Sequence, residues 1–404
     1  MLAGALLAAS LAITPAQSQK IDAAVTQVMA ADHIAGLSIG VARKGDVLLL
    51  RGYGMAARDT VYRVGSLTKQ FTAALVLQQI ERGALSISTV THGVTVGELL
   101  AQTTGLPTYT NEGRTVEAAL QSQPAFEPGT AFEYSNTNYF ILGTLLESTA
   151  HTSYAALLQT NILSPLKLRN TSLAVPDASA GMSSNVPDLL TWLEAVRSRS
   201  VVSNADFQTM TSTQTLPSGE RTHYGYGFYI RDWYGWKVAE HPGYVDGSSA
   251  DDAIVVDDGL EIAVLASATD AYLLPITKTV AEVLEAPRDN ALVADFSHPA
   301  QNENPAVTRD VTELVHELQH GRVDRSRLTS SLNKTFTEQE VSQGRQLFSP
   351  LGDLTLVEFI DRTTSDGTSF EKYRLSFGYK QFWMTLSYAP NGKIDTLAIQ
   401  PDDD

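Results

Sequence analysis

Val64-Gly65-Ser66-Leu67-Thr68-Lys69-Gln70-Phe71-Thr72-Ala73-Ala74-Leu75-Val76-Leu77 opens with a turn and runs into an apolar helix. With Ser66 at the start of that helix, Lys69 falls one turn later on the same face, close enough to take a proton from the hydroxyl. The amino end of the helix adds unpaired backbone N–H groups and a positive dipole, which favour an alkoxide and the oxyanion that follows it. Ser-x-x-Lys by itself is a weak signal, because any solvated first turn can carry the pair. Its company along the chain decides what it means.

Upstream, residues 21–29 read as a short helix with Ile21, Val25, Val28 and Met29 on one side. Residues 36–43 and 46–51 read as strands flanking Lys44-Gly45, a tight connection suited to an antiparallel hairpin. The Ser66 helix should end near Gly83. From about residue 95 to 199 the pattern changes to helices, turns and loops, as an inserted helical lobe would show. Its clearest helical segments are 96–102 and 139–148, the second reached through the loop 128–136. A further helix starts near Ser184-Asn-Val-Pro-Asp188, with Asn185 as N-cap, Asp188 in the first turn and Leu189, Leu190 and Leu193 facing inward. Strands return at 225–231, 236–241, 253–256 and 260–266, followed by a helix at 274–284. Strands at both ends with helices between them predict one sheet completed by distant segments.

The chain has 404 residues, too many for one ordinary core, and 43% hydrophobic with 18% charged is globular composition. Residues 287–306, rich in Pro, Asn and Asp, read as a linker between a catalytic domain at 19–286 and a small C-terminal α+β domain at 307–404. That last domain should hold helices at 308–320 and 325–347, the second helped by the capping box Thr337-x-x-Glu340. Strands at 354–360, 370–377, 382–388 and 394–399 follow, joined by turns at 365–368 and 390–393. It carries no evident chemistry, and packing against the catalytic domain or self-association into a homo-oligomer is the expected use.

A formal charge of −16 argues against nucleic acid or anionic lipid as partner. The absence of cysteine excludes disulfides, thiolate zinc sites and a cysteine nucleophile. Residues 2–13 form an uncharged run of signal-peptide length, too short to span a bilayer, and Ala16-Gln17-Ser18 offers small residues for cleavage. Residues 1–18 are therefore expected to be a signal peptide and the enzyme exported to the periplasm or beyond. No Lys or Arg precedes the run, and a buried N-terminal helix is the alternative.

Two further motifs give Ser66 its context. Tyr134-Ser135-Asn136 sets a phenol and an amide in Tyr-x-Asn spacing within the lobe, and His241-Pro242-Gly243 closes a strand in the second cluster. With Leu99-Leu-Ala-Gln-Thr-Thr-Gly-Leu-Pro107 and Pro128-Gly129 around them, residues 21–284 resemble the penicillin-recognising serine hydrolases: class C β-lactamases, DD-peptidases, D-aminopeptidases and related carboxylesterases. The resemblance implies an antiparallel sheet flanked by helices, a helical lobe and a cleft between them, with no cofactor or metal. It makes Ser66 the acylating nucleophile, Lys69 its activating partner and Tyr134 a proton relay. Asn136 would hold the substrate amide or the Lys69 amine, and His241-Pro242-Gly243 takes the place of a Lys-Thr-Gly strand. Chemistry agrees, because a serine hydroxyl needs a base of lowered pKa, which an ammonium beside a phenol in a desolvated cleft can become. The oxyanion needs two N–H donors. Ser66 supplies one, and since Pro242 has none, the backbone of Tyr244 should supply the other.

His241 departs from the best-known branches, where lysine attracts a substrate carboxylate; histidine is shorter and mostly neutral. Arg231, on a neighbouring strand, is the one candidate to replace that charge. His-x-Gly therefore points to a small ester or a D-amino-acid amide or peptide as substrate. A true β-lactamase or DD-carboxypeptidase is the alternative, and a non-catalytic penicillin-binding-like receptor is the rival from another class. His316-Glu317-Leu318-Gln319-His320 matches the helical zinc motif H-E-x-x-H, with Glu338 or Glu340 as a third ligand, but the helix stops at Gly321 in a small domain. Asp251-Asp252, Asp257-Asp258 and Asp402-Asp403-Asp404 read as solvated turns rather than calcium loops. Tyr224, Tyr226, Phe228, Trp233 and Trp236 read as core, or as an apolar wall beside the cleft.

Overall fold

The computed structural model describes residues 13–109, 115–217, 222, 224–233, 236–285, 305–348, 354, 356–365, 368–377 and 380–401. Residues 1–12 of the apolar run and 286–304 of the expected linker lie outside them. The chain divides into two compact units, Met1–Pro287 and Arg288–Asp404.

In the first unit, helix α1 (Pro15–Ala31) is capped by Thr14, whose hydroxyl accepts from Gln17 N. It is longer than expected, and the small residues 16–18 form its first turn. Strands β1 (Gly36–Arg43) and β2 (Asp46–Gly54) follow as a hairpin. Lys44 and Gly45 both have positive φ, +54° and +83°, the pairing whose twist suits a two-residue hairpin loop. Two-residue strand β3 (Tyr62–Arg63) leads through a tight turn at Gly65–Leu67 into α2 (Thr68–Glu81). The lobe holds short strands β4 (Val90–Thr91) and β5 (Val94–Thr95), then α3 (Val96–Leu100), α4 (Val116–Gln121), α5 (Asn136–Ala150), α6 (Tyr154–Leu158) and α7 (Ser164–Leu166). Strands β6 (Ser172–Leu173) and β7 (Met182–Ser184) close it before α8 (Val186–Arg197) and α9 (Asn204–Met210). Asn185 caps α8 by accepting from Asp188 N, at 3.0 Å.

Strands β8 (Tyr229–Trp233), β9 (Trp236–Val245), β10 (Ser248–Val255) and β11 (Leu260–Ala266) complete one six-stranded antiparallel sheet, in the order β2-β1-β11-β10-β9-β8. Helix α10 (Leu274–Leu284) ends the unit. The join of β1 to β11 is where distant segments meet, in the register Ile39↔Val264. Two boundaries move for physical reasons. The strand expected from 225 starts at Tyr229, because Gly227 turns at φ +83° with its α-carbon packed on the backbone of Lys69 and Gln70. The strand expected from 253 starts at Ser248, because Ser248 and Ser249 find hydroxyl partners in backbone carbonyls and can enter the buried sheet.

Helix α2 runs through the core. Residues Thr68 to Leu77 are all buried, the pattern of a helix packed on every side rather than an amphipathic one. Phe71 stacks on Trp192 of α8 with ring centroids 3.9 Å apart. The buried polar side chains are satisfied: Thr68 Oγ1 donates to Gly65 O (2.6 Å), Thr72 Oγ1 donates to Ala178 O (2.6 Å) and Gln70 Nε2 donates to Asp252 (2.6 Å).

The second unit is a meander of β12 (Leu356–Ser365), β13 (Thr368–Phe377), β14 (Lys380–Tyr388) and β15 (Ile394–Pro401), paired in sequence order. Leu314, Val315, Leu318 and Phe348 from its helices pack on Tyr373, Leu375, Met384 and Leu386 of the sheet. The single helix expected at 325–347 is broken into Arg325–Arg327, Ser330–Thr335 and Glu338–Phe348. Thr329 caps Leu332 N and Thr337 N donates to Glu340, so each threonine opens a new helix.

Candidate active site

Ser66 sits in the turn before α2, and the backbone on both sides of that turn requires glycine. Gly65 has φ +52°, and a Cβ there would lie 2.8 Å from Tyr244 N. A Cβ on Gly243 would lie 2.2 Å from Val64 O. The Ser66 turn therefore rests directly on β9 at residues 243–244. The two amides expected to hold an oxyanion, those of Ser66 and Tyr244, come from these two touching backbones.

Lys69 is fully buried, and its Nζ donates to three acceptors: Ser66 Oγ at 3.1 Å, Asn136 Oδ1 at 2.6 Å and Ser179 O at 3.0 Å. Burial lowers its pKa from 10.5 to about 7, with the Asp177 carboxylate opposing the fall. Near neutral pH a large share is free amine, which has two N–H bonds and a lone pair. The amide and carbonyl oxygens can only accept, so they take both N–H bonds and leave the lone pair for the Ser66 hydroxyl. Tyr134 lies against the same amine, with Nζ 4.7 Å from its ring centroid. Burial pushes the Tyr134 phenol well above its usual pKa, and the Ser66 hydroxyl works in the opposite direction. Tyr134 Oη is buried, and the Ser66 hydroxyl is the polar group set against it. It is a neutral phenol with a donor in hand.

His241 is buried, and both ring nitrogens are engaged: Nδ1 lies 2.6 Å from Pro242 O and Nε2 lies 3.0 Å from Tyr224 Oη. A carbonyl only accepts, so Nδ1 carries the proton and Nε2 accepts from the tyrosine. Burial, helped by the positive charges of Lys69 and Arg231, lowers the His241 pKa to about 3. Its ring packs among Tyr134, Tyr224 and Tyr229, with centroids 5.3 to 5.8 Å away. Arg231 donates to Glu240 at 2.7 Å, both nearly or fully buried, so its charge is matched inside the sheet.

The structure brings Ser66, Lys69, Tyr134 and Asn136 together, with Gly243 and Tyr244 against the Ser66 turn and His241 behind the tyrosines. Sequence reasoning missed three contributors. Ser179 acts through a backbone carbonyl, which no side-chain pattern reports. Gln102, at φ +60°, accepts from Glu133 N through its own carbonyl and from Ser135 N through its side chain, at 3.0 and 3.1 Å, and so grips both neighbours of Tyr134. Asp177 and Tyr109 form the third group.

The decoys resolve into structural roles. Asp251 and Asp252 are corrected from solvated turns to buried strand residues of β10: Thr277 Oγ1 donates to Asp251 (2.9 Å) and Gln70 to Asp252. Burial raises both pKa values well above the carboxylate range. Tyr224, Tyr226, Phe228 and Trp233 are buried, with Tyr224 also touching His241. His320 Nδ1 bonds its own helix at His316 O (2.7 Å), Glu317 accepts from Asp324 N (3.0 Å), and no cluster among the described residues could hold a metal.

Ser66 in the turn before a buried helix, the desolvated Lys69 on that helix and the lobe phenol of Tyr134 thus stand together. Residues 21–272 match the Beta-lactamase family, and the chain belongs to that family. Protein flp of Staphylococcus aureus (strain MW2) is 29% identical over 194 residues, which are 40% of this chain and 39% of that protein. The chain thus aligns with about two fifths of that relative's length. The D-aminopeptidase of Gluconobacter oxydans (strain 621H) is 22% identical over 67% of this chain and 63% of its own. Among solved structures, the octameric penicillin-binding protein homologue from Pyrococcus abyssi shares the fold with TM-score 0.60, at 19% identity over 96% of each chain.

Proposed function

We propose that the protein is an exported hydrolase that cleaves a small ester or a D-amino-acid amide or peptide through an acyl-enzyme on Ser66. The observation that carries this is the threefold environment of Lys69 Nζ, which leaves the lone pair of the neutral amine for the serine. Lys69 takes the Ser66 proton as Oγ bonds the substrate carbonyl carbon. The oxyanion rests on the amides of Ser66 and Tyr244. As the intermediate collapses, the bond to the leaving group breaks and that group takes a proton from Tyr134, whose own proton is restored from the Lys69 ammonium. Water then attacks the acyl carbon as Lys69 takes its proton; on collapse the bond to Ser66 Oγ breaks, Oγ takes a proton from Tyr134, and Tyr134 is restored from the Lys69 ammonium, which frees Ser66.

The neutral, fully engaged His241 and the internally paired Arg231 favour substrates that need no carboxylate anchor. The D-aminopeptidase relative supports the amide branch. The apolar run of residues 2–13 supports export, and the octameric relative supports self-association of this chain. Chromogenic short-chain p-nitrophenyl esters, D-amino-acid anilides and nitrocefin, assayed side by side, test the reading. A burst of product with the first or second group, absent in Ser66→Ala, is expected. Full activity in that variant, or turnover of nitrocefin alone, would overturn it.

A further inference from the structure

The segment from Val175 to Gly181 is tied to α2 by two successive carbonyls: Thr72 Oγ1 donates to Ala178 O (2.6 Å) and Lys69 Nζ donates to Ser179 O (3.0 Å). One carboxylate organises that turn. Asp177 Oδ1 accepts from Ser179 N at 2.7 Å, and Asp177 Oδ2 accepts from Tyr109 Oη. The Tyr109 hydroxyl also lies 3.0 Å from Ser179 Oγ, and the turn is closed by Gly181 N donating to Asp177 O at 2.8 Å. There is no room for a side chain at Gly181, where a Cβ would meet Val175 O at 2.1 Å. The chain Tyr109, Asp177, Ser179, Lys69 is thus a continuous polar path that ends on the amine beside Ser66.

We propose that Asp177 is a positioning residue for the reaction: it fixes the Ser179 carbonyl on Lys69 Nζ and sets a carboxylate behind the amine, keeping it basic enough to deprotonate Ser66. This rests on the reading of Ser66 as nucleophile and Lys69 as base. The other groups around the amine carry no competing charge. Tyr134 and Tyr139 beside it, and Tyr109 and Tyr154 beside Asp177, are phenols whose pKa burial raises further above neutrality. His241 is neutral, and Arg231 is matched by Glu240. Desolvation alone would drive the lysine toward a weak base that is always free but slow to take a proton. Asp177 is the carboxylate that counters it.

The test is the pH profile of kcat/KM, with the rate of Ser66 labelling by a fluorophosphonate followed in parallel. Asp177→Asn keeps an oxygen for Ser179 N and removes the charge. The acid limb is expected to move down by about one pH unit, the size of one nearby opposite charge, with a several-fold lower plateau and KM unchanged. A role in folding only would lower the plateau and leave the limb in place, and that result overturns the proposal. Should Asp177→Asn fail to fold, Tyr109→Phe decides: the carboxylate loses its phenol donor, and the limb is expected to move up by about half a unit, while an unmoved limb overturns the proposal. Absence of Ser66 labelling in the native protein would instead overturn the underlying assignment of the nucleophile.

Discussion

Two helices of this chain present a reactive-looking pair at helical spacing, and they differ in everything else. On and before α2, Ser66 and Lys69 meet at 3.1 Å with the lysine fully buried among acceptors. On the helix Pro305–Gln319 of the second unit, His316 and His320 bond to Gln319 and to the His316 carbonyl of their own helix. Spacing is equally good in both. Desolvation lowers the lysine pKa to about 7 and makes it a base near neutrality, whereas the histidines are exposed and bond to Gln319 and to a backbone carbonyl of their own helix. A motif becomes chemistry when the fold removes the solvent from one partner and supplies the other.

The sharpest way to break that contrast is Ser66→Ala, expected to lower kcat by about a million-fold toward the background left by substrate binding and the oxyanion donors, read from single-turnover ester hydrolysis. Lys69→Met keeps the bulk and removes the amine. It should cost about a thousand-fold in kcat and flatten the pH profile, which in the native protein is expected to fall tenfold per pH unit below about 7. The sign follows from the free amine being the active form, so activity is lost as pH falls. Tyr134→Phe removes the proposed proton donor to the leaving group and should cost about a hundred-fold, more with poor leaving groups such as anilides than with p-nitrophenol. The paired variant His316→Ala/His320→Ala should change kcat/KM by less than about twofold, and EDTA should leave activity unaltered; loss of activity in either experiment would give the second helix a chemical role.

Much of this architecture is legible in the chain. The hairpin around Lys44-Gly45, the cap at Asn185 and the strand at 260–266 follow from local turn, cap and period-two signals, and the structure places them there. Ser66, Lys69, Tyr134 and Asn136 are legible as two separated motifs, because the side chains themselves are the signal. What failed was non-local. Asp251-Asp252 look like a solvated pair until β10 runs through the middle of the sheet and lends them Thr277 and Gln70 as partners. The long helix expected at 325–347 overlooked two threonine caps inside it. Ser179 contributes a carbonyl oxygen, which any residue type could have supplied.

The contact between the Ser66 turn and β9 has a kinetic consequence. Ser248 Oγ donates to Arg63 O at 2.8 Å across 185 positions of sequence, and Gly243 touches Val64 across a similar span. Contacts between such distant segments close slowly, because the intervening loop must be ordered first. Helix α2 is local in sequence, but the proposed acyl chemistry needs β9 docked on the turn. Nascent or partly refolded chains are therefore expected to be inert, and the return of activity during refolding should time the docking of β9 on the Ser66 turn.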